Sequence, residues 1–229
     1  MDRQLTPRGA QRRQQIITFA TARFAANGYH PTSVDEIVGG LGVGKGVFYW
    51  YFSSKDELFS EILRTAQRSL RTAQNDAIRA VSDPVRRIEL GIRASLGWSE
   101  RNRDVYTLFQ FASTDDRFAH LVSRGEEIAV RNAMHHVNEA ISLGQVKDTD
   151  PEVVAHAILG VTTHLAREFI HKRGRPASEV ADSTVAFVLD GILAGTSNNA
   201  SLIPNPGDNP DDNPDINPDV NPGVVSPAG

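Results

Sequence analysis

The spacing of apolar residues constrains the fold of this chain more than any other feature of its sequence. From Gln11 to about Ala194 they recur at intervals of three and four, which places them on one face of successive α-helices. No convincing run alternates with the period of two that a half-buried strand needs. The sequence therefore predicts an all-α fold of about nine helices.

Capping residues and helix breakers divide this region into segments. Gly28 stands where the first helix ends, and Ser33 with Glu36 forms a capping box for a short second helix. A second capping box, Ser54 with Glu57, starts a long fourth helix that connects the N-terminal part to the rest. The helices are expected near residues 10–27, 33–39, 44–52, 54–79, 84–98, 102–112, 116–142, 151–172 and 177–194.

The composition excludes several classes of protein. The 229 residues contain no cysteine, which excludes disulfide frameworks, thiolate nucleophiles and cysteine-based zinc fingers. No stretch approaches 18 consecutive apolar residues, and the N-terminal residues lack the apolar segment of a secretion signal. We therefore expect a cytoplasmic protein that does not associate with a membrane.

Charge is distributed unevenly, although the net charge of the chain is only −4. Residues 1–55 hold seven Lys or Arg against three acids, a net charge of +4, whereas residues 196–229 hold five Asp and no basic residue. In this tail Asn-Pro recurs every fourth residue from Asn205, which excludes an α-helix. The sequence predicts a basic N-terminal end suited to nucleic acid and a solvated, low-complexity tail.

Residues 44–52 have the composition of a recognition helix, the second helix of a helix-turn-helix, which enters the major groove of DNA. Phe48 and Phe52 lie one turn apart and are expected in the core. Tyr49 can donate its hydroxyl to a phosphate, and Trp50 offers an indole N–H beside an apolar ring. The outward-facing positions are expected to be Lys45, Gly46, Val47, Tyr49 and Trp50.

Three further residues are candidates for contact with the phosphate backbone. Thr32 and Ser33 stand at the start of the second helix, where a hydroxyl and free backbone amides can meet a phosphate. Lys55 stands near the start of the fourth helix and supplies a positive charge.

Two stretches carry a recognisable motif, Thr32-Ser33-Val34-Asp35-Glu36-Ile37 and Gly42-Val43-Gly44-Lys45-Gly46-Val47-Phe48-Tyr49-Trp50-Tyr51-Phe52-Ser53-Ser54-Lys55-Asp56-Glu57-Leu58. With the preceding helix, they resemble the signature of the tetracycline-repressor (TetR) family over about 50 of the 229 residues. The sequence departs from the family's pattern at Gly44, where a serine is usual, and at Gly39-Gly40, where alanines are common. We expect function to survive these departures, with a softer second helix.

The resemblance implies a ligand-responsive transcriptional regulator, usually a repressor, that binds a near-palindromic operator in double-stranded DNA as a homodimer. A small-molecule effector would bind in the C-terminal domain and release the DNA. The expected domains are a DNA-binding domain over residues 10–70, with its helix-turn-helix at about 33–52, a ligand-binding and dimerisation domain over 71–195, and the tail over 196–229. The positions that the resemblance assigns to DNA contact are Thr32, Lys45, Gly46, Val47, Tyr49, Trp50 and Lys55.

The second predicted domain offers aromatic residues for an effector pocket, and they suit a core equally well. These candidates are Trp98, Tyr106, Phe109, Phe111 and Phe118. Adjacent His135 and His136 point in different directions on a helix, and no His/carboxylate pair of the metalloenzyme type stands out at positions i and i+4. We expect no catalytic residue, no metal and no cofactor.

Two other functions remain open on the sequence alone. The chain could be a helical enzyme or small-molecule-binding protein that keeps the N-terminal module as a scaffold, although no catalytic constellation supports this reading. It could also be an interaction protein that uses its acidic tail. Salt-dependent retention on a specific DNA sequence distinguishes both from a regulator.

Overall fold

The computed structural model of the chain describes residues 5–193, and within that range the protein is all-α, as predicted. The one strand-like contact in these residues is an isolated antiparallel bridge between Val146 and Leu193. The α-helices are α1 Pro7–Asn27, α2 Val34–Gly40, α3 Lys45–Tyr51, α4 Lys55–Ile78, α5 Pro84–Arg101, α6 Arg103–Thr114, α7 Ala119–Ser142, α8 Pro151–Leu165 and α9 Ala177–Ile192. A π-helical segment, Ala166–His171, continues α8. The predicted tail over 196–229 lies outside the described residues.

The N-caps that the sequence predicts for α2 and α4 are present. Ser33 Oγ accepts a hydrogen bond from the N–H of Glu36 at 3.1 Å, and Ser54 Oγ accepts one from the N–H of Glu57 at 3.0 Å. The carboxylates do not return the bond to these serines. The Glu36 carboxylate instead forms an ion pair with Arg23 of α1, because the guanidinium is a charged donor and a backbone amide is not. This ion pair ties α1 to α2.

The first hydrophobic cluster joins the N-terminal helices to α6 and the start of α7. At its centre Phe59 of α4 is completely buried, and its ring centroid lies 4.7–5.7 Å from those of four other aromatic residues. These residues are Phe24, Tyr29, Phe111 and Phe118. Since Phe111 and Phe118 follow residue 70 in the sequence, this core extends across the predicted boundary between the two domains.

The second hydrophobic cluster is built from α5, α7, α8, α9 and the π-helical segment. Its completely buried members include Leu96, Val137 and Ile170, one from each of three different elements. The cluster therefore holds the second half of the described chain together. No helix within residues 5–193 combines the length and the apolar character needed to cross a membrane.

Two adjacent glycines at the end of α2 face different surroundings. A Cβ on Gly40 would clash with the ring of Phe19, whereas a Cβ on Gly39 would meet no heavy atom within 4 Å. We expect Gly39→Ala to raise the free energy of unfolding by about 0.5–1 kcal/mol, because alanine restricts the unfolded chain and favours the helix. Gly40→Ala should lower it by about 1–3 kcal/mol, because the Phe19 ring must leave its position. Urea unfolding measures both values, and equal effects would contradict the packing of Phe19 on α2.

Candidate nucleic-acid interface

The turn between α2 and α3 positions the recognition segment. Gly42 has a φ of 64°, in the left-handed region that glycine adopts without strain. The N–H of Val43 donates to the carbonyl oxygen of Val38 at 3.0 Å and closes the turn. Gly44 is the N-cap of α3 and makes no side-chain cap hydrogen bond. The two short helices and this turn form the helix-turn-helix that the sequence predicts.

The two faces of α3 are divided as the sequence predicts. Phe48 is completely buried, and Phe52, which ends the helix, is buried with it in the first hydrophobic cluster. Tyr49 and Trp50 stand on the opposite side, with 55% and 52% of their surface exposed. Both are large aromatic residues that would ordinarily be buried, so their exposure marks a surface suited to a partner. Lys45 and Gly46 are exposed beside them, and Val47 is half-buried.

Lys45 at the start of α3 forms an ion pair with Asp35 of α2. Its Nζ lies 2.8 Å from Asp35 Oδ1, and both side chains are largely exposed. The hydrogen bond to Asp35, followed by the charge of that carboxylate, raises the pKa of Lys45, so the ammonium stays charged. An exposed ion pair of this kind contributes little stability. Lys45 is therefore able to exchange Asp35 for a phosphate group.

Thr32 and Ser33 lie differently from one another. The Thr32 side chain is completely buried, and its hydroxyl donates to the carbonyl oxygen of Gly28 at 2.9 Å. The expectation that this hydroxyl faces a phosphate is therefore corrected, because the end of α1 offers it a buried acceptor. Ser33 is exposed and its Oγ accepts from α2, which leaves its hydroxyl proton available to a phosphate.

The Lys55 ammonium is directed at backbone carbonyls in the loop between α1 and α2. Nζ donates to the carbonyl oxygens of Tyr29 and Thr32, each at 3.0 Å, and it also lies 4.4 Å from the centroid of the Tyr29 ring. Partial burial lowers the pKa of Lys55. In the unbound protein this side chain therefore fastens the start of α4 to the loop that precedes α2.

The N-terminal half of α1 and the outer face of α3 border an open groove of about 540 Å³. Arg8 and Arg12 line it from α1, and Gly46 and Trp50 line it from α3. Arg8 and its contribution to this surface were not predicted from the sequence, since no local pattern shows that the start of α1 lies against α3. The basic charge counted over residues 1–55 is the signal that could have indicated it.

Adjacent Arg12 and Arg13 have different surroundings. Arg13 Nη2 lies 3.2 Å from Oε1 of Glu61 in α4, and Arg13 Cζ lies 5.0 Å from the centroid of the Phe52 ring. Arg12 instead lines the open groove beside α3. Arg13 therefore makes contacts within the fold, whereas Arg12 faces the groove beside α3.

The five aromatic candidates for the effector pocket do not form one group. Phe111 and Phe118 belong to the aromatic cluster around Phe59, and Phe109 packs against the same core. Trp98 donates its indole N–H to Ser69 Oγ at 3.0 Å. Tyr106 stacks on His171 with the ring centroids 3.8 Å apart, and His171 Nε2 lies 2.7 Å from Ser99 Oγ.

Comparison with known proteins places this geometry among regulators. The family model described as "Bacterial regulatory proteins, tetR family" matches residues 16–62, which include α2, α3 and the start of α4. The transcriptional repressor KstR2 of Mycobacterium tuberculosis is 26% identical over 186 residues, which cover 79% of this chain and 92% of that protein. The transcriptional activator FasR of Mycolicibacterium smegmatis is 33% identical over 98 residues, covering 43% of this chain and 45% of that protein.

Solved structures show the same fold over most of the chain. The structure of the ketosteroid transcriptional regulator KstR2 of Mycobacterium tuberculosis superposes with a TM-score of 0.64 at 25% identity. The superposition covers 83% of this chain and 97% of that chain. The similarity therefore extends well beyond the helix-turn-helix into the C-terminal helices.

Proposed function

Because the chain belongs to the TetR family of bacterial transcriptional regulators, we propose that it binds a near-palindromic DNA operator as a homodimer and leaves it when a small molecule binds. The relatives described above are regulators, and the chain is accordingly a regulator and not an enzyme. Family membership gives the class, DNA-binding transcriptional regulation. We propose in addition that the protein acts in the cytoplasm, as a dimer, on a specific operator and under the control of an effector.

The observation that carries the proposal is the outward face of α3. Four residues of this helix suit a surface that meets a DNA groove: the charged Lys45, Gly46 with no side chain, and Tyr49 and Trp50 with exposed rings. We assign Gly46 and Val47 to close approach, Tyr49 to a phosphate or base edge, and Trp50 to sugar or thymine methyl groups.

Contacts with the DNA backbone are assigned to both sides of α3. Ser33 and the backbone at Thr32 flank it from α2, and Arg12 flanks it from α1. Lys55 is assigned to a phosphate contact as well, and this contact requires that its ammonium share or leave the loop carbonyls it meets in the unbound protein. Such contacts position the protein on DNA without reading sequence.

Exposed apolar side chains on the last two helices support a homodimer. Phe187 of α9 has 68% of its surface exposed, and Val153 of α8 is also exposed. A contiguous exposed apolar patch marks a protein interface, and we propose that Phe187 and Val153 belong to such a patch. A two-fold dimer would present two copies of α3, and this symmetry is what a near-palindromic operator matches.

We assign the protein to the repressors. KstR2 is a repressor that matches this chain over most of its length, whereas the activator FasR matches it over less than half. The effector is assigned to the helices after α4, with Trp98, Tyr106, Phe109, Phe111 and Phe118 as candidate contacts. We give most weight to Tyr106, because its ring stacks on His171 and the His171 ring in turn contacts the Ser99 hydroxyl.

Neighbouring arginines give a test of the DNA side with a built-in control. An operator is first selected from random duplexes with the full chain, and its affinity is then measured as a function of salt. Arg12→Ala should weaken binding and reduce the salt slope, log K against log salt, by about 0.9 in magnitude, because one phosphate contact is lost. Arg13→Ala should leave the slope unchanged, because Arg13 meets Glu61 within the fold.

The result that contradicts this assignment is a slope reduced by Arg13→Ala and not by Arg12→Ala. If the random duplexes yield no sequence that the full chain retains above background, operator binding itself is disproved.

A further inference from the structure

One turn of α7 brings two imidazoles and a carboxylate together. His135, His136 and Glu139 each offer a ligand atom, and these three atoms all lie within 4.8 Å of one another. We propose that this turn binds a divalent transition-metal ion of the zinc type. The proposal goes beyond the regulatory function, because the site involves no residue of the DNA-binding surface.

Helix geometry explains why three such close positions can share one ion. Successive residues are separated by about 100° around the helix, so Glu139 falls between His135, which is four residues earlier, and His136, which is three residues earlier. Two adjacent histidines by themselves diverge on a helix, and on this basis the sequence predicts no metal there. His135 and Glu139 are nevertheless a His/carboxylate pair at positions i and i+4, so the expectation that no such pair stands out is wrong.

The side chains are already close to the arrangement that a metal requires. The two imidazole rings have their centroids 5.3 Å apart. A tetrahedral zinc ion with bonds of about 2.0–2.2 Å places its ligand atoms roughly 3.3–3.5 Å apart. The three ligand atoms lie within 4.8 Å of one another, and small side-chain rotations would bring them to the spacing that zinc requires. The helix backbone is not required to move, since all three residues are in the same turn.

The burial and hydrogen bonding of the two histidines also suit residues that bind a metal ion. His136 Nδ1 is buried and has no hydrogen-bond partner among the described residues, although a buried ring nitrogen ordinarily has one. His135 is exposed, which gives an ion access from solvent. Imidazole and carboxylate together favour zinc, nickel or copper over magnesium or calcium, which prefer sets of oxygen ligands.

Arg87 of α5 both orients and weakens this site. Its Nη1 donates to Glu139 Oε2 at 2.8 Å, which fixes the carboxylate and leaves Oε1 for the ion. Hydrogen bonds of this kind commonly orient metal-binding carboxylates. The positive charge of Arg87 opposes a divalent cation, however. Arg87→Gln keeps a donor for Glu139 and removes the charge, so zinc affinity should rise severalfold.

Calorimetric titration of the full chain with zinc chloride, after removal of metal with a chelator, tests the site. The expected result is one ion per chain, with affinity lowered at least tenfold by His135→Ala and by Glu139→Gln. His120→Ala is the matched control, because His120 is another exposed histidine of α7, and it should bind zinc as the unsubstituted protein does. Circular dichroism without metal verifies that each variant is folded.

Cobalt provides an independent readout. Co²⁺ bound by three protein ligands should show visible absorption bands stronger than those of the aqueous ion, and His136→Ala should lose them. The proposal is overturned if the His135 and Glu139 variants bind zinc like the unsubstituted protein, or if His120→Ala weakens binding as much as they do.

Discussion

Replacing Phe59 by alanine should lower the free energy of unfolding by about 3–5 kcal/mol. Phe59 is completely buried, and its ring meets those of Phe24, Tyr29, Phe111 and Phe118. Alanine removes the transfer free energy of the ring and leaves a cavity where residues from three parts of the chain converge. The neighbouring rings cannot all move inward, because they are held by different elements.

Urea unfolding followed by circular dichroism measures this loss. Phe59→Leu is the matched control, since it keeps an apolar side chain and most of the volume, and should cost about 1–1.5 kcal/mol. A loss for Phe59→Ala no greater than that for Phe59→Leu would show that the aromatic cluster is not the centre of the first core.

Replacing Gly46 by valine should weaken specific DNA binding at least a hundredfold while the protein stays folded. A Cβ on Gly46 meets no heavy atom of the protein within 4 Å, so the substitution introduces no clash in the unbound chain. The added methyl groups project from the outer face of α3, where we propose that the backbone closely approaches DNA. Valine also favours a helix slightly more than glycine does, which offsets the loss of side-chain freedom.

The affinity of Gly46→Val for the selected operator at fixed salt measures this effect, and its unfolding curve verifies the fold. Gly44→Ser is the control in the same segment. It adds a side chain at the N-cap of α3, where the structure has no side-chain cap, and should gain a few tenths of a kcal/mol of stability while DNA binding is retained. Unchanged operator affinity in Gly46→Val would place the DNA on another surface.

The elements that the sequence predicts well are those set by local chemistry. The starts of α2 and α4 follow from Ser33 and Ser54, whose side chains cap amides three residues ahead. The division of α3 follows from Phe48 and Phe52, one turn apart and both buried. In each case the residues that decide the structure are neighbours in sequence, so that a pattern within a few positions contains the information.

The details that the sequence does not predict depend on partners distant along the chain. Lys55, for example, donates to the carbonyl oxygens of Tyr29 and Thr32, which lie more than 20 residues earlier. Arg13 differs from Arg12 because Glu61 of α4 and the ring of Phe52 lie beside it. Such pairings exist once the helices have packed, and no spacing within α1 reveals them.

The end of α8 is a further difference between the expected helix and the observed one. A single helix was expected over 151–172, but from Ala166 the backbone adopts π-helical hydrogen bonding, in which the N–H of Lys172 donates to the carbonyl oxygen of Arg167. The wider turn brings His171 onto Tyr106 and Ser99. π-Helical segments often occur at functional sites, and we therefore propose the region around His171 as part of the effector site.

A footprint of the full chain on genomic DNA from its source tests whether the outer face of α3 reads an operator. We expect protection of near-palindromic sites whose half-sites are spaced by whole turns of the double helix, and loss of that protection with Gly46→Val. Equal protection by the unsubstituted chain and by Gly46→Val, or no protected sequence at all, would contradict this expectation.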